Sequence, residues 1–154
     1  MTQPDRSTPP LSSLFQEVIL DHYKRPRNRG ELPDADAVVH MNNPTCGDEV
    51  VLRLKLDGSV IQDARFEGVG CSISQASISM MTQLIKGKTA AQAVALMRRF
   101  TDMMHGDEAA ARDKQLGDLR TLAGVSKFAA RVKCALLGWN ALEEALKDKD
   151  QPAE

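Results

Sequence analysis

Four side chains of this 154-residue chain have the types and neighbours that suit metal chemistry. The polar turn Asn43–Asp48 carries two of them, the thiol of Cys46 and the carboxylate of Asp48. The proline in that turn fixes its own φ and the glycine permits unusual backbone angles, so both groups are presented from a bend. The other two are the thiols of Cys71 and Cys134. Three thiolates and one carboxylate can bind zinc tetrahedrally, or hold a two-iron, two-sulfur cluster.

The charges around these groups are consistent with a metal site. Four anionic ligands around a divalent zinc ion leave a net charge of about −2, which needs compensation. Arg131 and Lys133 flank Cys134 and can supply it. Cys71 is expected in the first turn of a helix, where the helix dipole favours a thiolate. Charge balance does not separate zinc from a cluster, so both stay open at this stage.

The predicted sheet explains how residues far apart in sequence can meet. Three runs alternate apolar and polar residues and are predicted to be strands: 37–41, 50–56 and 60–66. Asp57-Gly58 is a strong signal for a tight hairpin between the last two. This pairing would set Asp48 roughly opposite Glu67 or Gly68. Cys71 would then lie at the same end of the sheet as the cysteine of the polar turn.

Helical periodicity occupies most of the remaining chain. Apolar residues recur at helical spacing in four segments: 11–25, 71–86, 89–104 and 126–147. Thr89 and Gln92 have capping-box spacing, Gly87 suits a helix end, and Ser126 is the expected cap of the last helix. The predicted fold class is α+β, a small antiparallel three-stranded sheet with helices packed on one face.

Two features of the last helix and the charged segments bear on function. The large apolar residues of 126–147 share one stripe of the predicted helix. Cys134 lies on a second face, made of small residues, which another element of the chain must approach closely. Residues 102–120 are charged and less periodic, and we expect an exposed loop with a short helix around 116–122, a candidate recognition surface. The basic run 24–30 is either a solvated connector or a docking patch for an acidic partner.

Composition narrows the function classes. The net charge of -1 gives no electrostatic case for nucleic acid, and no apolar run is long enough to cross a membrane. Residues 1–10 lack the apolar core of a secretory signal, and three cysteines cannot all pair in one chain. We therefore expect a cytoplasmic protein with a disordered lead at 1–10, one domain at 11–147 and a disordered tail at 148–154. His22, His40 and His105 are not expected to be ligands.

Three motifs in order resemble the SufU-type iron–sulfur cluster assembly proteins, relatives of the IscU and NifU scaffolds. These motifs are 42–48, 66–77 and 131–135, and the helix at 14–26 is similar too. IscU-type scaffolds have a histidine directly before the third cysteine, where this chain has Lys133. Their Leu-Pro-Pro-Val-Lys stretch is missing, and the segment between Gly87 and Ser126 is longer, as in SufU.

The resemblance implies zinc-dependent acceptance of sulfur from a SufS-type cysteine desulfurase, with downstream iron–sulfur assembly proteins or apo-targets as further partners. Cys46, Asp48, Cys71 and Cys134 would hold Zn2+, Cys46 would take the persulfide sulfur, and Arg131 matches an arginine that the family uses in the site. Two alternatives stay open. One is a scaffold that assembles a 2Fe-2S cluster on the same ligands for apo-proteins, and the other is a structural zinc module.

Overall fold

An antiparallel sheet of three strands forms one layer of the fold in the computed structural model, which describes residues 13–45 and 47–147. The strands follow the chain order and are β1 (Ala37–Asn43), β2 (Asp48–Asp57) and β3 (Val60–Val69). In β2 the residues Asp48, Val50, Leu52 and Leu54 are buried, and those between them are half-buried. The helices cover the buried face, so the predicted α+β class with a small three-stranded sheet is confirmed.

The register of the hairpin differs from the prediction. β2 and β3 form the expected hairpin, but Asp57 pairs with Val60, so the two loop residues are Gly58 and Ser59. A β-bulge between Lys55 and Leu56 shifts the register by one residue more, and Val50 pairs with Gly68. Glu67 and Gly68 are therefore not opposite Asp48, which lies instead against the residue that follows β3. A hydrophobic alternation does not reveal a bulge, because the inward-facing set of residues survives it.

Five α-helices and one 3-10 segment complete the described fold. They are α1 (Ser13–Lys24), α2 (Ser72–Ile85), α3 (Ala90–Met104), α4 (Glu108–Ala111), the 3-10 segment Lys114–Lys127 and α5 (Ala129–Ala145). Thr89 and Gln92 form the predicted capping box at the start of α3. Gly87, just beyond α2, has φ of +84°, which suits a glycine that stops a helix.

One prediction about the second half of the chain is wrong, and another is right only in part. The last helix does not begin at a Ser126 cap, because the 3-10 segment continues to Lys127 and Phe128 occupies the cap position of α5. Residues 102–120 are mostly exposed, as expected, and the predicted short helix lies within the 3-10 segment. The segment is not a loop, however, because α4 forms within it and Leu116 and Leu119 are fully buried.

The small face of α5 packs where the sequence predicted a close approach. A Cβ added at Gly138 would lie 2.8 Å from Cβ of Ile78, so α2 and α5 touch nearly backbone to backbone. Trp139 stacks on Phe100 of α3, with ring centroids 5.6 Å apart. This packing draws the N-terminal half of α5 towards the start of α2.

Some predictions lie beyond these observations. The disorder predicted for residues 1–10 and 148–154 falls outside the described residues, and the single domain at 11–147 stays a prediction. None of the helices within 13–45 and 47–147 is long and apolar enough to cross a membrane.

Candidate metal centre

Three of the four predicted ligands meet at one end of the sheet. Asp48 begins β2, Cys71 immediately precedes α2, and Cys134 lies in α5. One ligand atom from each, two Sγ and a carboxylate oxygen, lies within 4.8 Å of the others. Asp48 is 1% exposed and Cys134 is fully buried. Cys46 lies outside the described residues, so its place at this site stays a prediction.

The carboxylate of Asp48 is held in a fixed orientation. Its Oδ1 accepts the backbone N–H of Cys71 at 2.8 Å, and its Oδ2 lies 3.7 Å from Sγ of the same residue. Gly70 makes this approach possible: its φ is +147°, and a Cβ there would lie 2.3 Å from Asp48 Oδ1. One oxygen is thus committed to the backbone, and the other faces the sulfur atoms.

Cys71 occupies the cap position of α2, as the sequence predicted. Its φ and ψ of -73° and 165° are extended, and its Sγ accepts the backbone N–H of Ser74 at 3.5 Å. The hydroxyl of Ser74 donates back to the carbonyl of Cys71 at 3.2 Å. The Ser74 N–H and the positive end of the helix dipole therefore both face the sulfur atom of Cys71.

Arg131 brings a positive charge to the two sulfur atoms. A hydrogen bond with Cys134 is the largest cause that raises the pKa of Arg131, followed by attraction to Cys71 and Cys134. Cys134 itself donates from Sγ to the carbonyl of Ala130, at 3.6 Å. The guanidinium can therefore offset part of the negative charge that the site would carry once a bound metal deprotonates the two thiols.

The donor set fits a tetrahedral metal ion. Bonds of about 2.3 Å to sulfur and 2.0 Å to oxygen place tetrahedral ligand atoms about 3.5–3.8 Å apart. The 3.7 Å between Cys71 Sγ and Asp48 Oδ2 matches, and small inward shifts bring the remaining atoms into range. Two thiols and one carboxylate oxygen suit zinc, and thiolates equally suit an iron–sulfur cluster. Three of four tetrahedral positions are supplied, which leaves one for a further donor.

His22 has a role that the sequence did not reveal. It is 1% exposed, its Nδ1 lies 2.8 Å from Ser79 Oγ on α2, and its Nε2 lies 2.9 Å from Asp118 Oδ2 in the 3-10 segment. The only sequence signal for its burial was its position on the apolar stripe of α1. Across the described ranges the candidate metal-binding group contains Asp48, Cys71 and Cys134.

Comparison with known proteins agrees with this geometry. Residues 14–135 match the family model of the NifU-like N terminal domain, and the chain belongs to that family. It is 54% identical over 140 residues to the zinc-dependent sulfurtransferase SufU of Bacillus subtilis, an alignment that covers 91% of this chain and 94% of the relative. It is 48% identical over 137 residues to the iron–sulfur cluster assembly scaffold protein IscU of Streptococcus pyogenes, covering 89% and 85%. The crystal structure of FiSufU from Fervidobacterium islandicum superimposes with a TM-score of 0.77 at 41% identity, covering 84% and 94%. The sequence resemblance is therefore confirmed.

Proposed function

We propose that this chain accepts sulfur from a cysteine desulfurase for iron–sulfur cluster assembly, with zinc as its resident metal. The observation that carries the proposal is the convergence of two thiols and a buried carboxylate beside the turn that bears a third cysteine. The name of the Bacillus subtilis relative, a zinc-dependent sulfurtransferase, supports it. Thiols that bind a metal must stay reduced, which supports a location in the reducing cytoplasm. We also propose that residues 11–147 form one domain.

In this proposal Cys46, Asp48, Cys71 and Cys134 hold the zinc ion. When bound, zinc supplies Lewis acidity that keeps the thiols deprotonated at neutral pH, without redox chemistry of its own. Asp48 contributes only Oδ2, because its Oδ1 remains bonded to the backbone N–H of Cys71. Coordination through one carboxylate oxygen is more typical of a site that exchanges a ligand during its reaction than of a purely structural site.

Cys46 is the proposed sulfur acceptor. Its thiolate attacks the outer sulfur of the persulfide on the desulfurase, and the S–S bond of the donor breaks as a new S–S bond forms on Cys46. The donor leaves as a thiolate, so no external oxidant or reductant is needed. Arg131, whose guanidinium faces Cys134 and Cys71, is the proposed catalytic cation that stabilises the anionic sulfur near them.

Mass spectrometry of the zinc-loaded chain after incubation with a cysteine desulfurase and cysteine tests the proposal. The intact chain should gain one sulfur atom on the peptide that contains Cys46. Cys46→Ala should abolish this gain and leave a folded protein, whereas the neighbouring Thr45→Ala should retain it. Normal sulfur acceptance by Cys46→Ala would refute the assigned role.

A second candidate function is supported by the IscU scaffold name of the Streptococcus pyogenes relative. The same donors would then assemble a 2Fe-2S cluster as cargo for apo-proteins. Anaerobic reconstitution with iron and sulfide that yields a stable chromophore, and its transfer to an apo-protein, would favour this function over sulfur acceptance. Unfolding by a chelator, without stimulation of a desulfurase, would instead favour a structural zinc module.

A further inference from the structure

A pocket opens beside the metal centre, on the side of Cys71. Its volume is about 260 Å³, and its lining includes Tyr23, Pro26, Arg29, Val69, Gly70 and Gln75. Gly70 joins the pocket to the site, since it directly precedes Cys71 and lies against the carboxylate of Asp48. A partner that enters this pocket therefore comes within one residue of a proposed ligand.

The pocket carries one positive charge, on Arg29, that has no acidic partner in the part of the chain that the structure describes. Two other cations of the basic run are paired with Asp21: Arg25 at 2.6 Å and Arg27 at 2.7 Å. The Arg29 side chain has no carboxylate within salt-bridge distance among residues 13–45 and 47–147. The N–H of Gly30 donates to the carbonyl of Phe66 at 2.9 Å, and the N–H of Phe66 donates to the carbonyl of Asn28 at 3.0 Å, so the backbone on both sides of Arg29 is held along the edge of β3. The free charge thus projects from a fixed backbone.

The same pocket presents apolar surface. Val69 is 60% exposed and Tyr23 is 42% exposed, so both leave apolar side-chain surface open to solvent. No carboxylate is among the residues that line the pocket. An exposed valine and tyrosine beside an unpaired arginine are complementary to an acidic segment that carries an apolar side chain.

We propose that this pocket receives a surface segment of the cysteine desulfurase, with an acidic side chain against Arg29 and an apolar side chain between Tyr23 and Val69. The inference rests on the proposed function and specifies where the partner binds. Sulfur transfer requires the two sulfur atoms to come into contact, so the donor must cover the rim of the metal centre. The pocket lies on that rim and has the charge to orient the donor.

The charge reversal Arg29→Glu tests this docking site, and Lys24→Glu is its matched control. Lys24 is an exposed cation of the same basic run that does not line the pocket, so both variants change the net charge equally. Isothermal titration of the zinc-loaded chains with the cognate desulfurase at low salt should show Kd rise about tenfold for Arg29→Glu, with weaker salt dependence, and little change for Lys24→Glu. Val69→Asp, at an exposed position, should also raise Kd.

Sulfur acceptance from a small-molecule persulfide separates docking from chemistry. The Arg29→Glu chain should take sulfur from such a donor at the rate of the unmodified chain and retain its zinc. Equal Kd values for the Arg29 and Lys24 variants would overturn the docking site while leaving the proposed function intact. Failure of the unmodified chain to bind the desulfurase would overturn both.

Discussion

The contact between Gly70 and Asp48 gives the sharpest structural prediction. Substitution by alanine places a Cβ at a φ of +147° and 2.3 Å from Asp48 Oδ1. The backbone strain costs about 1–3 kcal/mol, and losing the hydrogen bond from the Cys71 N–H to a buried carboxylate costs about 1.5–3 kcal/mol more. Gly70→Ala should therefore lower the free energy of unfolding of the metal-free protein by about 2.5–6 kcal/mol.

Gly87→Ala is the matched control for this prediction. Gly87 also has a positive φ, +84°, but a Cβ there would meet nothing within 4 Å. Its substitution should cost only the backbone strain, about 1–2 kcal/mol. Urea unfolding after chelation gives both values, and a competition assay with a zinc indicator should show weaker zinc binding for Gly70→Ala alone. Equal destabilisation of the two variants, with equal zinc affinity, would refute the proposed coupling of glycine, carboxylate and metal.

Three further outcomes follow from the same contacts. Asp48→Ala should weaken zinc binding at least about a hundredfold in a competition assay, and unchanged affinity would exclude this carboxylate as a ligand. His22→Gln should lower the free energy of unfolding by about 1–3 kcal/mol, because one buried and one half-buried hydrogen bond are lost, without altering zinc stoichiometry; a stability change near zero would contradict this. The pKa of Asp113 is held below its ordinary value by the N–H of Gln115 and the guanidinium of Arg99, so its stabilising contribution is present above pH 3.8 and lost as pH falls below it. The free energy of unfolding of Asp113→Asn should therefore fall less than that of the unmodified chain as the pH is lowered from about 6 to about 3. If urea unfolding shows the same fall for both chains, the ion pair of Asp113 with Arg99 does not stabilise the fold.

Local signals in the sequence predicted most of the elements, because the physics that defines them is also local. The hairpin between β2 and β3 and the capping box of Thr89 with Gln92 each depend on a few neighbouring residues, and both are confirmed. The predicted register was wrong, because the loop is Gly58-Ser59, one residue beyond the predicted pair, and a bulge follows beside Leu56. No local pattern records the bulge.

The candidate site was predicted in outline but not in its supporting contacts. Hairpin pairing and helix phase were enough to bring Asp48, Cys71 and Cys134 together. The hydrogen bond from the Cys71 backbone to Asp48, and the space that Gly70 leaves for it, depend on the shifted register. The buried role of His22 required knowledge that the 3-10 segment packs inward, which its charged outer residues concealed.

X-ray absorption at the zinc edge, on the intact chain as purified, measures which atoms bind the metal. We expect one zinc ion per chain, bound by sulfur atoms at about 2.3 Å and one oxygen at about 2.0 Å, with sulfur scattering reduced in Cys134→Ser. A coordination sphere built only from nitrogen and oxygen, or one that Cys134→Ser leaves unchanged, would contradict it.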